Sequence, residues 1–103
     1  MTEYRFSNKS IEDIQEFEES VQREIFEKME EASEDYFYNS EYYSKFYDHH
    51  GRVWDKLNFN IHGEPIRAVF VERERFFIIF IGNHEDFEYD TELYNLLKGR
   101  EQD

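Results

Sequence analysis

The chain has no cysteine, one proline and four glycines in 103 residues. Without cysteine it has no disulfide, no thiolate nucleophile and no sulfur-ligated metal site, and the redox compartment stays open. Cations are scarce as well: 12 Lys and Arg stand against 25 Asp and Glu, a formal net charge of -13. Long apolar stretches are also missing. The longest run, Phe76 to Ile81, is far short of the roughly 20 residues a membrane-spanning helix needs. The opening MTEYRFSNKS holds no apolar stretch of signal-peptide length. A soluble, cytoplasmic protein with no membrane partner is expected.

What the chain does have is aromatic. Phe 11, Tyr 8 and Trp 1 make up 19% of it, and each large ring buries roughly 150–250 Å2. An acidic chain poor in rings would stay disordered, whereas this one can build a core. The length suits a single domain, 1–103, with 98–103 as a frayed tail.

Tyr4-Arg5-Phe6 reads as a short strand, and Ser7 or Asn8 can cap the helix that follows. Ile11, Ile14, Phe17, Val21, Ile25, Met29 and Ala32 recur every three or four residues, the mark of one buried helical stripe. The helical region spans about 8–36 and contains neither Gly nor Pro. It is one long helix or two; Glu16, Glu18, Glu19 and Ser20 offer a break, and two helices is the preferred assignment. Residues 36–47 hold seven aromatics with no clear period. They are expected to pack a loop and helix end onto a sheet, with a base-stacking platform or partner surface as the alternative.

Val53 to Asn60 alternates as a strand, with Trp54, Lys56, Asn58 and Asn60 on one face and Asp55, Leu57 and Phe59 on the other. His62-Gly63-Glu64-Pro65 is a turn. Ile66–Glu72 and Phe76–Ile81 form a hairpin around Arg73-Glu74-Arg75, the second strand apolar enough to be central. Asp90 or Thr91 caps a last helix whose Leu93, Tyr94, Leu96 and Leu97 face the core and which Gly99 stops. The expected fold is α+β: an antiparallel sheet of about four strands covered on one face by two N-terminal helices and a short C-terminal helix.

YRFSNKSIEDIQEF followed by LNFNIHGEPIRAVFVERERFFIIFIGNHEDF resembles the RelE/ParE toxin superfamily in order and spacing over most of the chain, and the His-Glu-Asp-Phe run resembles its YafQ-like branch. The resemblance implies a toxin of a type II toxin-antitoxin system. Ribosome-dependent members are endoribonucleases that cut mRNA by attack of a 2′-hydroxyl on the neighbouring phosphate. It further implies a cognate antitoxin, mRNA and the ribosome as partners, no cofactor and no metal. Arg67 matches the phosphate-binding strand arginine, His84 the general acid or base, and Tyr89 or Phe87 the C-terminal aromatic. His49, His50 and Asp48 lie near where YafQ-like members place an additional His, and His62 follows the same logic.

Chemistry supports these residue types independently. Histidine exchanges protons near neutrality, and arginine offers a planar fork matched to phosphate oxygens. Arg52, Lys56, Arg73 and Arg75 join Arg67 as candidate substrate-binding cations, with Phe87, His50 and His62 beside them. Each has a plainer role. His84 can satisfy a strand-end turn, Arg67 can pair with Glu72 or Glu74, Tyr89 can pack, and His49-His50 can be a solvated loop.

The charge sits awkwardly with RNA. Residues 1–50 hold 14 acids against five Lys and Arg, while the remainder holds 11 against seven. Between 52 and 75 the balance reverses, with Arg52, Lys56, Arg67, Arg73 and Arg75 against Asp55, Glu64, Glu72 and Glu74. The acidity fits a salt-loving host, where screening mutes repulsion from RNA. It also fits a non-catalytic relative that binds a partner, either as a ParE-like gyrase inhibitor or as an acidic mimic of nucleic acid.

Overall fold

The computed structural model describes residues 2–48, 50–83 and 91–102. Strand β1 (Tyr4–Phe6) leads into helices α1 (Asn8–Gln15) and α2 (Glu19–Ser33), a 3-10 turn over Phe37–Asn39, and strands β2 (Tyr43–Tyr47), β3 (Val53–Ile61), β4 (Glu64–Glu72) and β5 (Phe76–Asn83). Helix α3 (Thr91–Arg100) follows. The five strands form one sheet in the order β1-β5-β4-β3-β2. No helix among the described residues is long and apolar enough to cross a membrane.

The α+β class and, among the described residues, the three helices agree with the expectation; the details of the sheet do not. It has five strands instead of about four, and it is mixed, because β1 runs parallel to β5 while all other neighbours are antiparallel. The extra strand, β2, comes from the aromatic-rich stretch. Tyr43, Lys45 and Tyr47 alternate with Ser44 and Phe46, so neither side is uniformly apolar, as befits an edge strand. The helices also divide between faces instead of sharing one.

Alternation explains that division. Ile14, Val21, Ile25, Met29 and Ala32 of α1 and α2 pack with Leu57, Phe59, Ile61, Ile66, Ala68, Phe70, Phe76 and Ile78 in one core. Leu93 and Leu97 of α3 pack with Trp54, Val69, Ile79 and Phe80 in a second. Strand β5 serves both through a bulge: Val69 pairs with Phe80 and Phe70 with Ile78, so Ile79 is the extra residue and lies with Phe80 in the α3 core. The apolar run therefore reflects burial on both faces plus one added residue.

Local chemistry fixes the ends. The Ser7 hydroxyl accepts the Ser10 amide at 3.1 Å and caps α1. Residues 16–18 separate α1 from α2, where the acidic cluster suggested a break. The turn between β3 and β4 is only His62-Gly63, both at positive φ (52° and 79°), a two-residue hairpin with Glu64 and Pro65 already in β4. Gly99 does not stop α3, and the expected frayed tail is tied down: Arg100 pairs with Asp13 and Arg52 with Glu101.

The Asp13–Arg100 pair closes the sheet. Strand β1 ends at Phe6, opposite Ile78, so among the described residues no strand lies on that side of β5 beyond this point. The Asp13 carboxylate accepts the Ile81 amide at 3.0 Å, and the Arg100 guanidinium donates to the Ile79 carbonyl at 3.1 Å. The same two side chains meet through two hydrogen bonds, 2.5 and 3.1 Å, with only 14% and 16% of Arg100 and Asp13 exposed. Asp13→Asn strands a mostly buried guanidinium and is expected to cost about 3 kcal/mol in chemical denaturation. Asp13→Leu with Arg100→Met removes both charges yet is expected not to restore stability, because the Ile79 and Ile81 backbone groups lose their partners. Wild-type stability in that double variant would contradict the assigned role.

Candidate functional site

The face of the sheet that packs α3 is where the predicted cations diverge from the acids. Alternation along β3 puts Trp54, Lys56, Asn58 and Asn60 on this side, as read from the sequence, and the register sets Asn58 opposite Arg67 and Lys56 opposite Val69. Lys56 and Arg67 are thus diagonal neighbours on one face, a spacing of roughly 7–8 Å at the backbone that long side chains readily close. Strand β2 adds Ser44, opposite Lys56. The Asn58 amide nitrogen donates to Ser44 Oγ at 2.7 Å and to the Tyr42 carbonyl at 3.0 Å, which fixes the polar floor beside the two cations.

Both cations are half-buried. Burial presses the Lys56 ammonium below its ordinary pKa, and the nearby Arg67 charge adds to that effect. Burial alone lowers Arg67. Arg67 Nη1 is held by the Ile66 and Phe59 carbonyls at 3.2 and 3.4 Å. It does not pair with Glu72, which instead accepts the hydroxyls of Tyr36 and Tyr38 on the opposite face. The two like charges stand side by side on one face of the sheet.

The other candidates are placed elsewhere. Arg52 stacks 3.8 Å over the Trp54 ring and forms a bidentate pair with Glu101, which raises the arginine and lowers the acid. Arg73 shares a crevice with Arg52, Trp54 and Glu101, about 20 Å along the strand from Arg67 at roughly 3.3 Å per residue. Arg75 lines a hollow with Tyr4 and Glu30 near β1. His62 turns to the helical side, its Nε2 3.0 Å from Glu24 Oε1. His50 is an exposed residue of the β2–β3 loop. His49, His84, Phe87 and Tyr89 lie outside the described residues. Of the described candidates, only Lys56 and Arg67 meet on the central strands.

Asp48 is a structural residue. Its carboxylate accepts the amides of His50 and Arg52 at 2.8 and 3.0 Å and the Trp54 indole at 3.2 Å. Burial works against its charge, but these donors win and hold its pKa below the usual carboxylate value. No group of three or more metal-ligating side chains occurs among the described residues.

On the opposite face, acids and tyrosines pair. Tyr43 donates to Asp55 at 2.5 Å, Tyr4 to Glu30 at 2.6 Å and Tyr36 to Glu72 at 3.0 Å. Tyr38, Phe37, Phe70 and Phe76 interlock beneath them with centroids 4.9 to 5.7 Å apart. The strand carboxylates Asp55, Glu64 and Glu72 all alternate onto this side. The sequence hid this pairing, because partners such as Tyr36 and Glu72 are distant in the chain. Its signal was composition alone, a surplus of Tyr beside a surplus of acid.

Burial raises Tyr4, Tyr38, Tyr42 and Tyr43, and the hydrogen bond to Glu72 raises Tyr36. A tyrosine whose folded pKa is raised contributes stability that is complete below the unfolded value, near pH 10, and is lost as pH climbs above it. In an ultraviolet phenolate titration these five are expected to ionise late, together with alkaline unfolding. A single transition near pH 10 for all eight tyrosines in the folded chain would contradict the pairing.

Comparison of the chain with known protein families, with curated proteins and with solved structures finds no match.

Proposed function

We propose that this domain is an RNA-directed toxin of the RelE kind, which grips the RNA backbone on the β3–β4 face and cleaves it by 2′-hydroxyl attack. The observation that carries this is the Lys56–Arg67 pair: two partly desolvated cations on one sheet face, beside the amide and hydroxyl of Asn58 and Ser44. The strand carboxylates Asp55, Glu64 and Glu72 alternate away from them. The element order, a strand and helical pair before a strand meander and a last helix, suits the same family. mRNA, the ribosome and a cognate antitoxin are the partners this reading calls for.

In the proposed reaction the 2′-oxygen attacks the adjacent phosphorus, the bond from phosphorus to the 5′-oxygen breaks, and a 2′,3′-cyclic phosphate and a 5′-hydroxyl result. Arg67 binds the phosphate oxygens through its planar fork. Lys56, diagonal to Arg67 on the same face, adds a second cationic contact to the phosphate. His84 is the general acid or base, taking the 2′-hydroxyl proton or giving one to the departing 5′-oxygen while water exchanges the other, and Phe87 or Tyr89 stacks on or supports the substrate. The negative charge elsewhere makes binding depend on close contacts more than on long-range attraction.

A second reading draws on the acidic helical side. There the domain does no chemistry and binds a basic nucleic-acid-handling protein or gyrase through α2, whose surface carries Glu19, Glu24, Glu27, Glu30 and Glu31. Binding of that kind is lost when these become Gln and is indifferent to Lys56 and Arg67.

Expression of the wild-type chain is expected to arrest growth, and Arg67→Ala to relieve it. In a cleavage assay with short RNA, Arg67→Ala is expected to cost about a hundredfold or more in rate. It should also flatten the slope of log affinity against log salt by about 0.7, one phosphate contact to a single strand. Lys56→Ala, which removes the second cationic contact, should weaken binding and lower the salt slope by a similar amount. Full toxicity in both variants would remove the site.

A further inference from the structure

A separate cavity of about 680 Å3 opens where β5 outruns β1, bounded by the end of α1, the start of β4 and α3. Neither Lys56 nor Arg67 lines it. Its volume lies in the range of small-ligand sites, roughly 300–1,000 Å3. Phe17, Leu93 and Leu96 supply an apolar wall, and Leu96 is 43% exposed although it sits on the inner side of a helix that buries Leu93 and Leu97. Carboxylates supply the polar wall. Among the described lining residues, Asp13 and Arg100 cancel one another, whereas Glu16 and Glu64 leave two negative charges, Glu64 accepting a hydrogen bond from Asn83 Nδ2 at 2.8 Å. The Ile81 amide points to the open side, toward Asp13, and in an extended strand its carbonyl points the same way. The cavity thus combines an apolar wall with acceptors and net negative charge.

We infer that this cavity binds a cation carried on an apolar stem, the ammonium or guanidinium meeting Glu16 and Glu64 and the stem lying against Phe17 and Leu96. An anion would face two carboxylates, and a neutral apolar molecule would leave them without a donor. The chemistry is shared by a free aralkyl amine and by a basic side chain beside an aromatic one in a peptide, so the test carries both.

Amide shifts of the isotope-labelled full chain are followed during titration with 2-phenylethylammonium, 2-phenylethanol, 3-phenylpropionate and a blocked phenylalanyl-arginine amide. The amine is expected to bind at about millimolar affinity, shifting Phe17, Ile81 and Leu96 and leaving Lys56 unmoved. Glu16→Gln with Glu64→Gln should weaken it about tenfold, the scale of two partly exposed ion contacts, while the circular dichroism stays that of wild type. Tighter binding of the dipeptide would assign the site to polypeptide partners, and preference for the free amine to small ligands. The inference is overturned if the alcohol or the carboxylate binds as well as the amine, if the double variant binds undiminished, or if no probe moves the Ile81 and Leu96 amides at concentrations well above millimolar.

Discussion

The shortness of β1 is the constraint on which the rest of the molecule turns. A three-residue strand can cover only the first part of β5, and the remainder would present backbone groups to an edge with no partner, which costs roughly 1–3 kcal/mol for each one buried. The fold answers with side chains from two helices on opposite faces. Asp13 from α1 takes the Ile81 amide and Arg100 from α3 takes the Ile79 carbonyl, and the two hold each other. That arrangement fixes the end of α3 against β5, so Leu93 and Leu97 reach the second core. It also keeps α1 near the bulge that gives β5 its doubly buried surface. The cavity proposed to take a cation is the space left over at the same edge.

Strand alternation then sorts the charge. Because β3 and β4 are both alternating and paired in register, Asp55, Glu64 and Glu72 fall to the helical side and Lys56 and Arg67 to the other. On the helical side, tyrosine hydroxyls meet the carboxylates, and hydrogen bonds to ionised partners are stronger than neutral ones. On the other, two cations share a partly desolvated surface and are weakened by it. A net charge of -13 is therefore compatible with a local site for phosphate.

Much of this was legible in the residues. The stripe from Ile11 to Ala32 contributes to a single core, and its acidic interruption marks the break between α1 and α2. The face assignment of Val53 to Asn60 holds residue by residue, since period-two alternation needs no tertiary information. What failed depended on contacts distant in sequence. The parallel pairing of β1 with β5 joins segments about 70 residues apart. Strand β2 was obscured because rings on both sides erase alternation. The tail looked frayed because Arg100 and Glu101 acquire partners only when α1 and β3 arrive. Of the predicted cations, Lys56 and Arg67 converge because neighbouring strands carry them; Arg73, Arg75 and His62 sit on turns, where strand register imposes no common face.

The central claim is that the β3–β4 face, and not the acidic helical side, meets RNA. Chemical-shift mapping of the folded chain with a short single-stranded RNA at low salt tests it most directly. The account predicts shifts concentrated at Ser44, Lys56, Asn58 and Arg67, fading as salt is raised and absent in Arg67→Ala. Shifts confined to α2, or none at any salt concentration, would contradict it.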